Sequence, residues 1–170
     1  MTSVNTINYP VTVTDFQMFP PAVQQPALSA YLTSNVGNVT GDGAAYQVIF
    51  NTVAADQTSS LDTSTGTYTV PLTGVYAING SLAMGGCTTS VTKVTLEVNI
   101  NGSTSVFPLY FNPSIIRTSS NLFNVAWSCM QLLTAGDVVK IYIAGYGTTR
   151  TMSVTGASLQ NTNWGMWMVS

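Results

Sequence analysis

The chain has 170 residues, a formal net charge of −2, 45% hydrophobic residues and only 6% charged ones. That length suits one domain with a core of its own, and so few charges leave Thr, Ser, Asn, Gln and Gly to build the surface, where an ordinary soluble domain is roughly one quarter charged. No apolar run approaches the roughly 20 residues of a spanning helix, and four basic residues are too few for a phosphate-tracking groove, so membrane insertion and nucleic-acid binding are excluded.

Residues 1–26 read as a tether. Pro10, Pro20, Pro21 and Pro26 punctuate them, and each proline removes a ladder donor and restricts the residue before it. No Lys or Arg precedes Lys93, so the positive region of a secretory signal or the Arg-rich face of a transit peptide is not expected here. Residues 27–170 form the expected folded domain, and their pattern is all-β: short alternating runs separated by turn signals. Strands are expected at 28–36, 46–51, 66–70, 74–84, 91–100, 105–111, 122–133, 138–144 and within 157–169. Loops are expected at 37–43, 112–120 and 145–156, and a polar loop or irregular edge at 54–65. The run Val91–Ile100 alternates most cleanly, with Lys93, Thr95, Glu97 and Asn99 on one face and Val94, Leu96, Val98 and Ile100 on the other, as the period of two in an extended chain requires. Asn101-Gly102 then predicts a tight hairpin, since both residues tolerate positive φ.

Histidine is absent, which removes the commonest general base and metal ligand and with it Ser-His-Asp and Cys-His catalysis. A glycosidase could run on two carboxylates alone. The acids nearest in sequence, Asp56 and Asp62, stand in a polar loop where turn chemistry accounts for Asp. No catalytic residue, metal or cofactor is expected, and the chain is read as a non-enzyme. Gly41-Asp42-Gly43 reads as a turn, because no Lys follows it as a phosphate loop would require. Cys87 and Cys129 are too few for a disulfide framework and read as two free thiols.

The segments Val48-Ile49-Phe50-Asn51-Thr52, Gly66-x-Tyr68-x-Val70-Pro71, Gly74-x-Tyr76, Val98-Asn99-Ile100-Asn101-Gly102, Met130-Gln131-Leu132-x-x-Gly136-Asp137-x-Val139 and Trp164-Gly165-Met166-Trp167-Met168-Val169 follow one another in an order and spacing that resembles the jelly-roll head shared by complement-type globular heads and the tumour necrosis factor superfamily. Asn38-Val39-Thr40-Gly41-Asp42-Gly43-Ala44-Ala45-Tyr46 resembles the form of that head found in viral and phage fibres. No Gly-X-Y repeat of a collagen stalk is present. The resemblance implies a jelly-roll β-sandwich that forms a homotrimer. It places the head on a virion fibre, spike or tail, with the N-terminal segment joined to other fibre or capsid proteins and the head attaching to a cell-surface glycan or protein receptor. The alternatives are a structural fibre cap that binds no receptor and a bacterial surface head of the same fold.

In that topology consecutive loops alternate between the ends of the sandwich. Loops 85–90, 112–120 and 145–156 should therefore share the end away from the tether, where Arg117, Tyr146 and Arg150 are the candidate ligand-binding residues. The strand carrying Trp127, Cys129 and Met130 and the last strand both project large apolar groups to either side. One side fills the core and the other must meet a partner. Trp127, Trp164, Met166 and Met168 are the candidate trimer-interface residues.

Overall fold

The computed structural model describes residues 24–102, 104–156 and 161–169. Apart from residues 24–26, the expected tether lies outside the described residues. The elements are β1 (Ala27–Tyr31), β2 (Val36–Thr40), β3 (Asp42–Gln47), β4 (Thr52–Asp56), β5 (Leu61–Asp62), β6 (Thr67–Thr69), β7 (Gly74–Gly85), β8 (Lys93–Ile100), β9 (Thr104–Phe111), α1 (Pro113–Ile116), β10 (Phe123–Leu133), β11 (Val138–Tyr146), β12 (Met152–Val154) and β13 (Asn163–Met168). Among the described residues no helix is long and apolar enough to cross a membrane.

Two antiparallel sheets stack as a jelly-roll sandwich. The larger runs β2-β12-β7-β13-β1-β4, with β10 on the other flank of β7, and the smaller runs β5-β6-β11-β8-β9. The long strands are written in the period-two pattern. Along β8, Val94, Leu96 and Val98 are fully buried while Lys93 is exposed. Along β10, Phe123, Trp127 and Leu133 point inward while Asn124, Ala126, Ser128, Met130 and Leu132 point outward. Asn101 and Gly102 both take positive φ, +55° and +74°, and close the β8–β9 hairpin. Tyr76 of the Gly74-x-Tyr76 signature is buried and its hydroxyl donates to the Leu72 carbonyl at 2.7 Å, which pins the turn entering β7.

Between the sheets lies an aromatic centre. Trp164 stands 5.7 Å from the Phe50 ring and 6.1 Å, edge to face, from Tyr68, in the tilted and T-shaped arrangements that ring quadrupoles favour. The β10–β7–β13 register sets Trp127, Gly80 and Trp164 in one row. A Cβ on Gly80 would lie 2.5 Å from the Asn163 carbonyl and 2.7 Å from the Trp127 indole, so glycine is what lets the tryptophan lie over β7.

Four expected irregular stretches hold structure. Residues 37–43 carry most of β2 and the start of β3, and the chain turns between them at Gly41, φ +124°. Residues 54–65 carry most of β4 and β5, and 145–156 hold the end of β11 and all of β12. The fourth, 112–120, contains the one-turn helix α1, because Asn112 accepts from Ser114 N at 3.0 Å and Pro113 occupies the first turn. Strands this short draw their pairing from partners distant in sequence, which local alternation does not register. Cys129 pairs with Ile78 across the ladder, and both thiols are free.

Candidate functional site

The ladders fix which loops meet. Phe123 pairs with Met84, Tyr146 with Lys93 and Phe111 with Val94, so loops 86–92, 112–122 and 147–151 share one end. Backbone bonds tie them together: Cys87 N donates to Asn121 O at 3.2 Å and Thr92 N to Tyr146 O at 2.9 Å. Thr151 Oγ1 donates to Gly86 O at 3.2 Å. At the opposite end Met168 N donates to Pro26 O at 3.1 Å, so residue 26 and Val169 emerge together, away from the loop set.

The three candidate ligand residues share this distal end but differ in what they do there. Arg117 is a clamp: its guanidinium donates to the Cys87 carbonyl at 3.0 Å and approaches Asn121 Oδ1 at 3.5 Å. Arg150 Nε pairs with Asp42 Oδ2 at 3.1 Å on the surface. The Ala44 amide, and after it Arg150, hold the Asp42 carboxyl below its ordinary range. Tyr146 faces out from the end of β11 and carries the Lys93 ammonium 3.8 Å from its ring centroid.

Lys93 and Tyr110 are the site residues the sequence reading missed. The ammonium of Lys93 is 5.8 Å from the ring of Tyr110, which is 60% exposed. Neighbouring strands put the three side chains on one face, Lys93 opposite Tyr146 in the β8–β11 ladder and Thr95 opposite Tyr110 in the β8–β9 ladder. The alternation of Val91–Ile100 already turned Lys93 outward; what a single strand cannot disclose is its neighbours. Gly43, at φ +89°, backs onto Tyr146, so that a Cβ there would lie 3.5 Å from its ring. Asp42, Gly43, Tyr146 and Lys93 thus form a continuous corner. Further down the same face, an open hollow of about 310 Å³ is lined by Ala45, Glu97, Asn99, Gly102 and Tyr142.

The outward face of the large sheet is a second candidate surface, and here the structure corrects the expected residues. Trp127, Trp164 and Met166 are 6%, 1% and 0% exposed, and Met168 is half-buried against the same core. Trp127, Trp164 and Met166 fill the sandwich and cannot meet a partner, and Met168 keeps only part of its side chain free. Trp164, Met166 and Met168 share one parity and Trp167 has the other. On β10, likewise, Trp127 has the core parity and Met130 the outward one. Met130 and Leu132 are 62% and 66% exposed and Trp167 44%. Met130, Ala77, Trp167 and Ala27 stand in one row across β10, β7, β13 and β1, with Leu132 and Val75 in the next. This apolar half lies at the end where residue 26 and Val169 emerge. Toward the distal end the face turns polar, with Ser128, Asn79, Gly165 and Ser29 in register.

No protein-family model and no curated protein matches the chain in sequence. Solved structures match its fold. The globular domain of a zebrafish complement 1qA protein aligns over 85% of this chain and 98% of its own at a TM-score of 0.58 and 18% identity. Murine APRIL aligns over 86% of this chain and 100% of its own, at 0.60 and 13%. The Eiger TNF from S. frugiperda covers 86% of this chain and 94% of its own, also at 0.60 and 13% identity. The chain therefore has the complement/tumour-necrosis-factor-like jelly-roll fold.

Proposed function

We propose that the chain is a homotrimeric head that attaches a virion fibre, spike or tail to its host cell by multivalent recognition of a surface glycan or receptor. The observation that carries the assembly is the apolar half-face of Met130, Leu132, Trp167, Val75, Ala77 and Ala27, on four strands (β10, β7, β13, β1) that contain no charged residue. Patches of this kind are rare on free monomers. The β10 edge adds to it: it pairs only with β7 among the described strands, and its 11 residues include no proline or charge, the usual protections of an open edge. The resemblance to the head family supplies the number three.

The polarity of the molecule supports attachment. The segment before residue 27 leaves from one end, so a support joined there would hold the loop set outward, and three copies of a weak site gain avidity without new contacts. The virion setting rests on the resemblance of residues 38–46 to fibre heads. A fibre cap without a receptor is favoured by one observation: Arg117 and Arg150 at the distal end are engaged in contacts within the chain.

Light scattering after size-exclusion chromatography tests the assembly. The expected mass is three chains of 18.0 kDa, persisting on dilution. A stable monomer overturns the trimer and the multivalent mechanism with it. Given a trimer, an absence of binding to host cells turns the reading to the fibre cap.

A further inference from the structure

We propose that the corner formed by Lys93, Tyr110 and Tyr146 binds the acidic group of an oligosaccharide, a carboxylate or sulfate, and that the sugar chain continues down the outward face of the small sheet toward the hollow beside Tyr142 and Glu97. This deepens the attachment reading and rests on it for its biological setting, but the site is argued from its own geometry.

Among the described residues the one ion pair is Arg150 with Asp42, so Lys93 keeps an exposed charge without a carboxylate partner. Its ammonium is held against Tyr146 at 3.8 Å and beside Tyr110 at 5.8 Å, a position that restricts the long side chain while leaving donors free. A cation flanked by phenol faces matches an acidic sugar: the anion takes the ammonium, and the apolar face of the pyranose has the 60%-exposed Tyr110 ring to stack on. An acidic peptide fits less well. At the corner it would meet one cation, and Glu97 lies on the same face four residues along, about 13 Å at strand rise, before the next cation, Lys140, opposite Asn99.

Direction follows from the same residues. The charged end of the sugar belongs at Lys93, near the distal loops. The neutral part reaches the 310 Å³ hollow, where Glu97 presents acceptors beside Asn99 and Tyr142. Glu97 at that end repels a reversed orientation. Arg150, with its charge offset by Asp42, lies at the rim of the corner and leaves Lys93 as the corner's net positive charge.

Chemical-shift titration of the full-length chain tests the site with four probes: 3′-sialyllactose, lactose 3′-sulfate, neutral lactose and a short poly-glutamate peptide. The acidic sugars should bind at least roughly tenfold more tightly than lactose, the discrimination expected of one charge-assisted contact, with shifts centred on Lys93, Tyr110 and Tyr146. Their ranking decides between carboxylate and sulfate as the natural group. Lys93→Gln should lower acidic-sugar affinity to the level of lactose, and Tyr110→Ala should weaken both acidic sugars severalfold. Glu97→Gln should leave them unchanged or tighter. Both Lys93 and Tyr110 are exposed, so these variants should keep the melting temperature and mass of the parent. Equal binding of lactose, full affinity in Lys93→Gln, shifts elsewhere, or tighter binding of poly-glutamate would each overturn the site. Its failure is separable from that of the trimer: a monomer that binds sialyllactose through Lys93 keeps the site and loses the multivalent head, whereas an intact trimer indifferent to all four probes loses the site alone.

Discussion

The two sheets of this sandwich turn different surfaces outward. Across the large sheet, β10, β7, β13 and β1 contain no charged residue, and half of the outward face is Met130, Leu132, Val75, Ala77 and Trp167. Across the small sheet, β8 and β11 place Lys93, Glu97 and Lys140 outward among tyrosines. The inward faces are alike, both filled with aliphatic and aromatic side chains. What separates the sheets is the residue at every second position on the side that does not build the fold, which is where assembly and binding are encoded.

Trp164 and Trp167, three residues apart on β13, give the largest test of that contrast. Trp164→Ala empties a fully enclosed position against Phe50 and Tyr68 and should cost about 3–5 kcal/mol. Trp167→Ala removes a ring that is 44% exposed, and in a single dissociated chain, such as the Met130→Glu background should give, it should change unfolding free energy by less than about 1 kcal/mol. Urea titrations of both variants in that background separate the effects, because the stability of an assembled chain also contains its association. Equal losses in both variants there would break the assignment of the two faces.

Charge substitution comes next. Met130→Glu and Leu132→Glu place carboxylates in the apolar half-face, where association would leave them desolvated and unpaired. The mass should fall from three chains to one while far-ultraviolet circular dichroism stays that of the parent. Lys140→Glu on the small sheet should leave the mass unchanged. If Lys140→Glu dissociates the assembly and Met130→Glu does not, the copies meet through the other sheet.

Gly80→Ala asks how tightly the two tryptophans are fitted to one another. The new methyl would meet the Asn163 carbonyl and the Trp127 ring at 2.5 and 2.7 Å. Neither can retreat without disturbing the β7–β13 ladder or the core, so the variant should lose about 1–3 kcal/mol in the same urea titration. Full parental stability would mean that the Trp127 ring has another resting place.

The strands that could be read from sequence are those long enough to state their own alternation. Gly74–Gly85, Lys93–Ile100 and Phe123–Leu133 all show it, and Asn101-Gly102 marks its hairpin by chemistry alone. Val36–Thr40 and Met152–Val154 were not legible, because each is held by the other: Met152 pairs with Thr40 across more than 100 residues of chain. The binding corner was half legible, in Tyr146. Lys93 and Tyr110 become neighbours only when β11, β8 and β9 are laid side by side. The interface was misjudged for a related reason. Aromatic bulk on a strand signals burial, but parity decides against what: Trp164, Met166 and Met168 share the core side of β13, and Trp167 faces outward.

Acid gives the smallest effect and should divide the two faces again. The Ser64 and Thr65 hydroxyls, together with the backbone amides of the same residues, hold Asp62 down to about 2 from an ordinary 3.8. Asn101, and after it the Thr134 amide, depress Asp137, while the Ala44 amide and Arg150 depress Asp42. A carboxyl whose pKa is lower in the folded chain stabilises it above the unfolded value, and that contribution is lost as pH falls through the folded value. The melting temperature should therefore fall as pH is lowered from about 4 toward 2. No histidine is present to add a transition between pH 5 and 8. Asp62 lies on β5 of the small sheet, Asp137 in the turn into β11 and Asp42 at the distal corner. The strands of the apolar half-face contain no group that titrates in acid. Between pH 5 and pH 3.5 the mass by light scattering should thus hold at three chains. Hydrogen exchange at Ser64, whose amide donates to Asp62 at 2.8 Å, should rise only as pH falls on toward 2. Dissociation preceding that local exchange would place a carboxylate at the interface and move the contact off the uncharged strands.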